Sequence, residues 1–126
     1  MAAKGEVIPL GFTSEDDLAH LYSAAKALLY VSLYEGFGLP PLEAMASGTP
    51  VIVSSSSSIP EVVGDAGLQV DPCDETAIRD AMRRLIDDPE LSTALVARGI
   101  DRARRFSWAR CASTTREVYG RVLSQR

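Results

Sequence analysis

With 126 residues, 46% of them hydrophobic, the chain is long enough for one domain with an adequate core and too short for two. No transmembrane run or secretory signal occurs, and Cys73 and Cys111 are isolated, which reads as a reduced, cytoplasmic protein whose cysteines are small packing residues. The net charge of −4 is uneven: residues 1–90 hold five Lys or Arg against fifteen acids, or −10, and residues 91–126 eight Arg against two, or +6.

The basic end reads as a solvated helix face or as a surface for an acidic partner or an anionic membrane, so the expectation includes peripheral membrane contact. No nucleic-acid partner is expected.

Met1 to Glu6 shows no apolar periodicity. Val7 to Leu10 reads as a short strand closed by Gly11. Ser14 with Asp17 three residues on reads as the capping pair of a helix whose Leu18, Leu21, Tyr22 and Ala25 share a face. His20, the single histidine, lies off that face as a solvated helix residue. Ala27 to Leu33 is an apolar run suited to a parallel strand buried on both faces.

Next comes the most informative stretch, Tyr34 to Ser54, YEGFGLPPLEAMASGTPVIVS. Gly36 and Gly38 open φ values closed to other residues and let a ligand approach the main chain. Pro40 and Pro41 mark a first helical turn, which places Glu43 in that turn and Leu42, Met45 and Ala46 toward the core. Gly48 ends the helix and Pro50 opens a buried strand, Val51 to Val53. A helix N-terminus carries a partial charge of about +0.5 and free N–H donors. Loop, helix and strand in this order therefore predict a phosphate-type anion site at the carboxyl edge of a parallel sheet, flanked by Glu35 and Glu43.

Ser54 to Ser58 reads as an ordered loop before a brief helix at Pro60. Gly67 to Val70 reads as the last strand, and Asp71, Pro72 and Asp74 as the turn capping a helix with the stripe Ile78, Ala81, Met82, Leu85 and Ile86. Asp88 and Pro89 cap a second, carrying Leu91, Leu95 and Val96. Ser107 caps a third, with Cys111, Thr115, Val118, Tyr119 and Val122 facing in. The fold class expected is α/β, a Rossmann-like parallel sheet flanked by helices, with the helices of about 74–126 packed on it.

The segment EGFGLPPLEAMASGTPVI, with Glu35 and Glu43 separated by seven residues, resembles the E-x7-E motif of retaining glycosyltransferases of the GT-B fold, the group 1 glycosyl transferases. LGFTSEDDLAHLYSAA upstream, SSSIPEVVGDAGLQVDPCD downstream and the late RRFSWAR extend the resemblance over nearly the whole chain, with Val31 where relatives carry proline. It implies that residues 1–126 are a partial nucleotide-sugar-binding domain, the incomplete carboxy-terminal half of a GT-B fold.

By this resemblance Glu35 is the catalytic-site acid, bonding donor-sugar hydroxyls beside the anomeric carbon. Main-chain N–H groups of Phe37, Gly38 and Leu39 face the sugar and diphosphate, Gly36 belongs to the same donor-binding loop, and Glu43 accepts both ribose hydroxyls. Ser57 and Ser58, at the same edge, are candidate contacts to the nucleotide base or sugar.

The family moves a hexose from a nucleotide-diphosphate sugar to an acceptor with retention of configuration. The subgroup with SSIPEVVGDAG and FSWAR resembles mannosyltransferases, which favours GDP-mannose over UDP-glucose as donor. No D-x-D pattern is present, so neither a metal nor another cofactor is expected.

Relatives add an amino-terminal, acceptor-binding domain and, ahead of the strand at Val7, a glycine-rich basic turn that clamps the diphosphate. Neither occurs here, and Lys4 is not assigned to the clamp. In a sheet of order 3-2-1-4-5-6 the chain would supply strands 3 to 6 only. Its sheet must then close a gap or bury an edge against a second chain, such as the missing domain or a homodimer partner. Weak donor binding without turnover is expected of the chain alone. Two other readings stand beside this one. One makes Glu35 and Glu43 the acid and base of a glycoside hydrolase, and the other makes the chain a non-catalytic nucleotide-sugar binding or interaction fragment.

Overall fold

Helices alternate with strands as far as Val70 and three helices follow, within residues 7–125, the part that the computed structural model describes. In order these are α1 (Glu15–Ala24), β1 (Leu28–Tyr30), α2 (Leu39–Ala46), β2 (Val51–Ser54), α3 (Ile59–Val63), β3 (Leu68–Val70), α4 (Glu75–Asp87), α5 (Pro89–Ala103) and α6 (Trp108–Leu123). The readings made for Met1 to Glu6, Lys4 included, lie outside the described residues.

The strands form one parallel sheet in the order β1-β2-β3, with Leu28 opposite Val51 and Ile52 opposite Leu68. β2 is central and wholly buried, and its apolar run Val51 to Val53 suits a strand with both sheet faces covered. Because side chains alternate along a strand, Val51 and Val53 enter a cluster with Ala44, Met45, Ile59 and Val63 from α2 and α3. Ile52 joins the opposite cluster with Ala81, Leu85 and Leu95 from α4 and α5. The fold is therefore α/β, a Rossmann-like sheet with helices on both faces.

The four caps read from sequence all form. Ser14, Asp74, Asp88 and Ser107 each accept an N–H from the residue three positions on, which satisfies a helix-terminal donor. No helix among the described residues is long and apolar enough to cross a membrane.

Several expectations need correction. Val7 to Leu10 is exposed coil, not a strand, because no neighbouring strand offers it a ladder among the described residues. The anticipated gap in the sheet therefore does not arise. β1 has only three residues, and Leu29 is 41% exposed rather than buried on both faces, since the far side of this strand carries no partner among the described residues. The α4 stripe is narrower than its pattern: Ala81 and Leu85 are buried while Met82 and Ile86 are exposed. No residue of α6 is buried, so Cys111, Thr115, Val118, Tyr119 and Val122 do not face in; the described core ends at Ala103, before that helix begins.

Candidate functional site

β1 delivers the chain to the carboxyl edge of the sheet at Tyr30, and residues 31–38 cross that edge before α2. Beside them runs the loop after β2. Three of its serines brace the crossing segment: Ser56 Oγ donates to Leu33 O at 3.2 Å, Ser57 Oγ accepts from Glu35 N–H at 3.0 Å, and Ser58 Oγ donates to Glu35 O at 3.0 Å and Phe37 O at 2.9 Å. Ser57 sits at φ +54° to do so.

The Ser58 bonds have a directional consequence. A trans peptide points its N–H opposite to its C=O. Drawing the Glu35 and Phe37 carbonyls toward Ser58 therefore turns the Gly36 and Gly38 N–H groups away from it. Among the described residues the amides of Gly36, Phe37, Gly38 and Leu39 make no hydrogen bond to protein.

Gly38 is the helix N-cap at φ +109°, and a Cβ there would stand 2.6 Å from Ile59 Cδ1, so both backbone and space require glycine. Gly36 differs from the expectation, since its φ is not positive; a Cβ on it would meet nothing within 4 Å, so what it leaves is open space over the loop. The helix also contributes fewer donors than expected. Pro40 and Pro41 have no N–H, and the first intrahelical bond is Leu42 N–H to Gly38 O, which leaves Leu39 as the donor of that turn.

Because α2 starts at Leu39, one residue ahead of the prolines, Glu43 falls in the second turn rather than the first, about 6 Å along the axis. The face that α2 buries is Pro41, Ala44 and Met45, and Ala46 is exposed.

Each acid has a tyrosine neighbour. Tyr30 donates its phenol O–H to Glu35 Oε1 at 2.6 Å. That bond first, and the Ser32 hydroxyl second, hold the Glu35 carboxyl below its usual range, and the same bond, with burial, pushes the Tyr30 phenol up. The Tyr22 phenol is raised by burial first and by the Glu43 carboxylate second. Tyr22 and Tyr30 both pack against the core cluster beneath α2, so the two acids stand over one apolar floor. Such a site offers one fixed carboxylate, Glu35, a second acid, Glu43, and outward main-chain donors, the complement of a polyhydroxylated anion.

The loop is pinned from the far end of the chain as well. Phe37 meets Phe106 edge to face at 6.0 Å, and the Arg102 guanidinium lies 5.3 Å from the Phe106 ring centre. Arg102 also donates to the Val62 carbonyl at 2.9 Å and to that of Glu61, joining α5 to α3. Sequence reasoning placed the serines here as ligand contacts but missed Tyr30, Ser56, Arg102 and Phe106 as supports. The signal at Tyr30 was a hydroxyl-bearing side chain at the carboxyl end of an otherwise aliphatic strand, where periodicity alone reads core.

The glycosyl transferases group 1 family profile matches residues 2–102. O-antigen chain mannosyltransferase B of Escherichia coli is 45% identical over 116 residues, 92% of this chain and 30% of that protein. The MMP alpha-(1->4)-mannosyltransferase of Mycolicibacterium hassiacum is 40% identical over 89% of this chain and 28% of its own length. Among solved structures, sucrose-phosphate synthase from Thermosynechococcus elongatus superposes with a TM-score of 0.78 at 34% identity, over 93% of this chain and 30% of its own. The chain thus spans less than a third of the length of these relatives. It belongs to the glycosyl transferases group 1 family, and carries part of the carboxy-terminal half of a GT-B fold.

Proposed function

We propose that the chain is the donor-binding part of a retaining glycosyltransferase that moves a hexose, mannose, from a nucleotide diphosphate to an acceptor. One observation carries this reading: four consecutive amides, Gly36 to Leu39, lack protein partners among the described residues, directly after an acid held in place by its own hydrogen bonds. Departure of a diphosphate leaves negative charge on its oxygens, and preorganised N–H donors stabilise that charge where it develops. Glu35 accepts from the sugar hydroxyls and steadies positive charge on the ring. Glu43 accepts both ribose hydroxyls. Ser57 and Ser58 spend their observed bonds on the loop, so any contact with the nucleotide uses what hydrogen-bonding capacity remains to them.

The names of the relatives support mannose, with GDP-mannose the favoured donor and UDP-glucose the alternative. In the longer protein an amino-terminal domain supplies the acceptor site, and the basic end from Arg98 onward suits peripheral contact with an anionic membrane from the cytoplasm.

Thermal-shift titration with GDP-mannose, UDP-glucose, GDP and UDP tests the reading. GDP-mannose is expected to raise the melting temperature more than GDP does, with that excess absent in Glu35→Gln. No shift with any of the four rejects the donor site. Turnover, followed by nucleoside-diphosphate release, is expected only when the amino-terminal domain is supplied.

A second reading, a non-catalytic fragment that pairs through its sheet edge, is favoured by the edge of β1 that has no partner among the described residues, where Leu29 is half-exposed. It predicts a homodimer in sedimentation velocity that Leu29→Lys dissociates.

A further inference from the structure

The donor reading leaves open how a loop carboxylate keeps one orientation. A glutamate side chain has three rotatable bonds, and freezing them without a partner costs rotamer entropy that weakens every contact it makes. Glu35 has no cation against it among the described residues. Its restraints are the Ser57 hydroxyl on its N–H, the Ser58 hydroxyl on its carbonyl, and the Tyr30 phenol on Oε1. The first two fix the main chain. The third fixes the carboxylate, with the Ser32 hydroxyl a lesser second influence on it.

We propose that Tyr30 is a positioning residue for Glu35: its phenol O–H, anchored in β1, holds Oε1 and leaves Oε2 as the acceptor for a donor-sugar hydroxyl. This rests on the donor-site reading above. Tyr30 is suited to the task because its ring packs on the core cluster with Leu28 and Leu42 while its hydroxyl reaches the loop, so the bond connects the loop acid to the sheet. A phenol is also a neutral donor, which orients a carboxylate without cancelling the charge that a sugar ring turning positive requires. The groups facing this pair are Ser32, whose hydroxyl also favours the Glu35 carboxylate, and Tyr22, which lies beside Tyr30 and next to Glu43. None of these is a cation, so the effect on Glu35 is traceable to hydrogen bonding.

The test uses Tyr30→Phe, which keeps the ring and removes the hydroxyl. Carboxyl-carbon NMR of the glutamate-labelled chain, with Glu35 assigned through Glu35→Gln, follows its titration. In the parent chain Glu35 is expected to titrate below the ordinary glutamate range and in Tyr30→Phe closer to it, the Ser32 hydroxyl remaining. Tyr30→Phe is expected to weaken GDP-mannose binding about tenfold while GDP binding stays the same, a difference of one charge-assisted hydrogen bond. Reciprocally, the Tyr30 phenol in Glu35→Gln is expected to titrate closer to an ordinary tyrosine, a check that does not depend on the Phe variant folding. An unchanged Glu35 titration in Tyr30→Phe overturns the role, as does equal weakening of GDP and GDP-mannose. Failure of the parent chain to bind any sugar nucleotide removes the donor site and this role with it, whereas an unaltered Tyr30→Phe removes the role alone.

Discussion

Phe37 and Phe106 meet edge to face at 6.0 Å, a contact that ties the acid loop to a residue 69 positions later, and Arg102 covers the second ring. Edge-to-face aromatic pairs contribute about 0.5–1.5 kcal/mol beyond burial, and an exposed cation–π contact about 0.5–1. Phe106→Ala is therefore expected to lower stability by about 2 kcal/mol in urea unfolding. Phe106→Leu, which retains most of the apolar area, should lose less. Because Phe37 sits between Glu35 and the helix cap, both changes should also weaken sugar-nucleotide binding. Binding untouched by Phe106→Ala would mean that the loop holds its shape without this contact.

The two loop glycines separate stability from binding. Gly38→Ala forces a side chain into positive φ and toward Ile59, and it is expected to cost about 3 kcal/mol. Adding Ile59→Ala should relieve the clash but not the backbone strain, so recovery will be partial. Gly36→Ala meets nothing, and its stability should stay within about 0.5 kcal/mol of the parent. Its methyl group nevertheless occupies the space beside the free amides. Calorimetric titration should show a fall in donor affinity for Gly36→Ala without a change in melting temperature, and unchanged affinity would place the ligand elsewhere.

How much of this was legible in the sequence depends on the range of the interaction. Ser14, Asp74, Asp88 and Ser107 act within three residues, so their caps could be read directly. β2 was legible because Val51 to Val53 is apolar throughout and flanked by breakers. Val7 to Leu10 is also largely apolar, yet it forms no strand: Pro9 inside it has no N–H for a ladder, and a strand exists only with a neighbour. α6 shows the same limit: its stripe has helical spacing, which fixes the helix but not whether a surface meets it. At the site, Glu35 and Glu43 stood out as acids amid glycine, proline and apolar residues. Their supports did not, because Tyr30, Ser56 and Phe106 reach the loop from other elements.

Ser58 donates one hydroxyl hydrogen to two carbonyls, and thereby sets which way the adjacent amides point. Ser58→Ala is expected to lower stability by about 1 kcal/mol, the net worth of a typical hydrogen bond. The effect on binding should be larger than the effect on stability, because the Gly36 and Gly38 N–H groups lose their imposed direction. Ser58→Thr restores the hydroxyl and should restore binding. Amide chemical shifts of Gly36 and Gly38 report the change directly, and shifts identical to the parent in Ser58→Ala would contradict it.

The Tyr30–Glu35 bond predicts a window of pH. Glu35 has its carboxyl lowered from 4.5, by the Tyr30 bond first and Ser32 second, so its contribution is fully present above 4.5 and is lost as pH falls through the lowered value. Tyr30 has its phenol raised from 10.0, by the Glu35 bond first and burial second, so its contribution is fully present below 10.0 and is lost as pH rises through the raised value. Between these limits the bond needs no proton change, and parent and Tyr30→Phe should differ in stability by a constant amount. Denaturation curves from about pH 3 to about pH 11, which bracket ordinary Glu and Tyr titration, should show the two proteins converging at both ends. Convergence at the acid end alone would mean that the phenol does not titrate against Glu35. A difference that persists below the lowered Glu35 value would assign the effect to the hydroxyl's other contacts, Ser32 among them, instead of its bond to the Glu35 carboxylate.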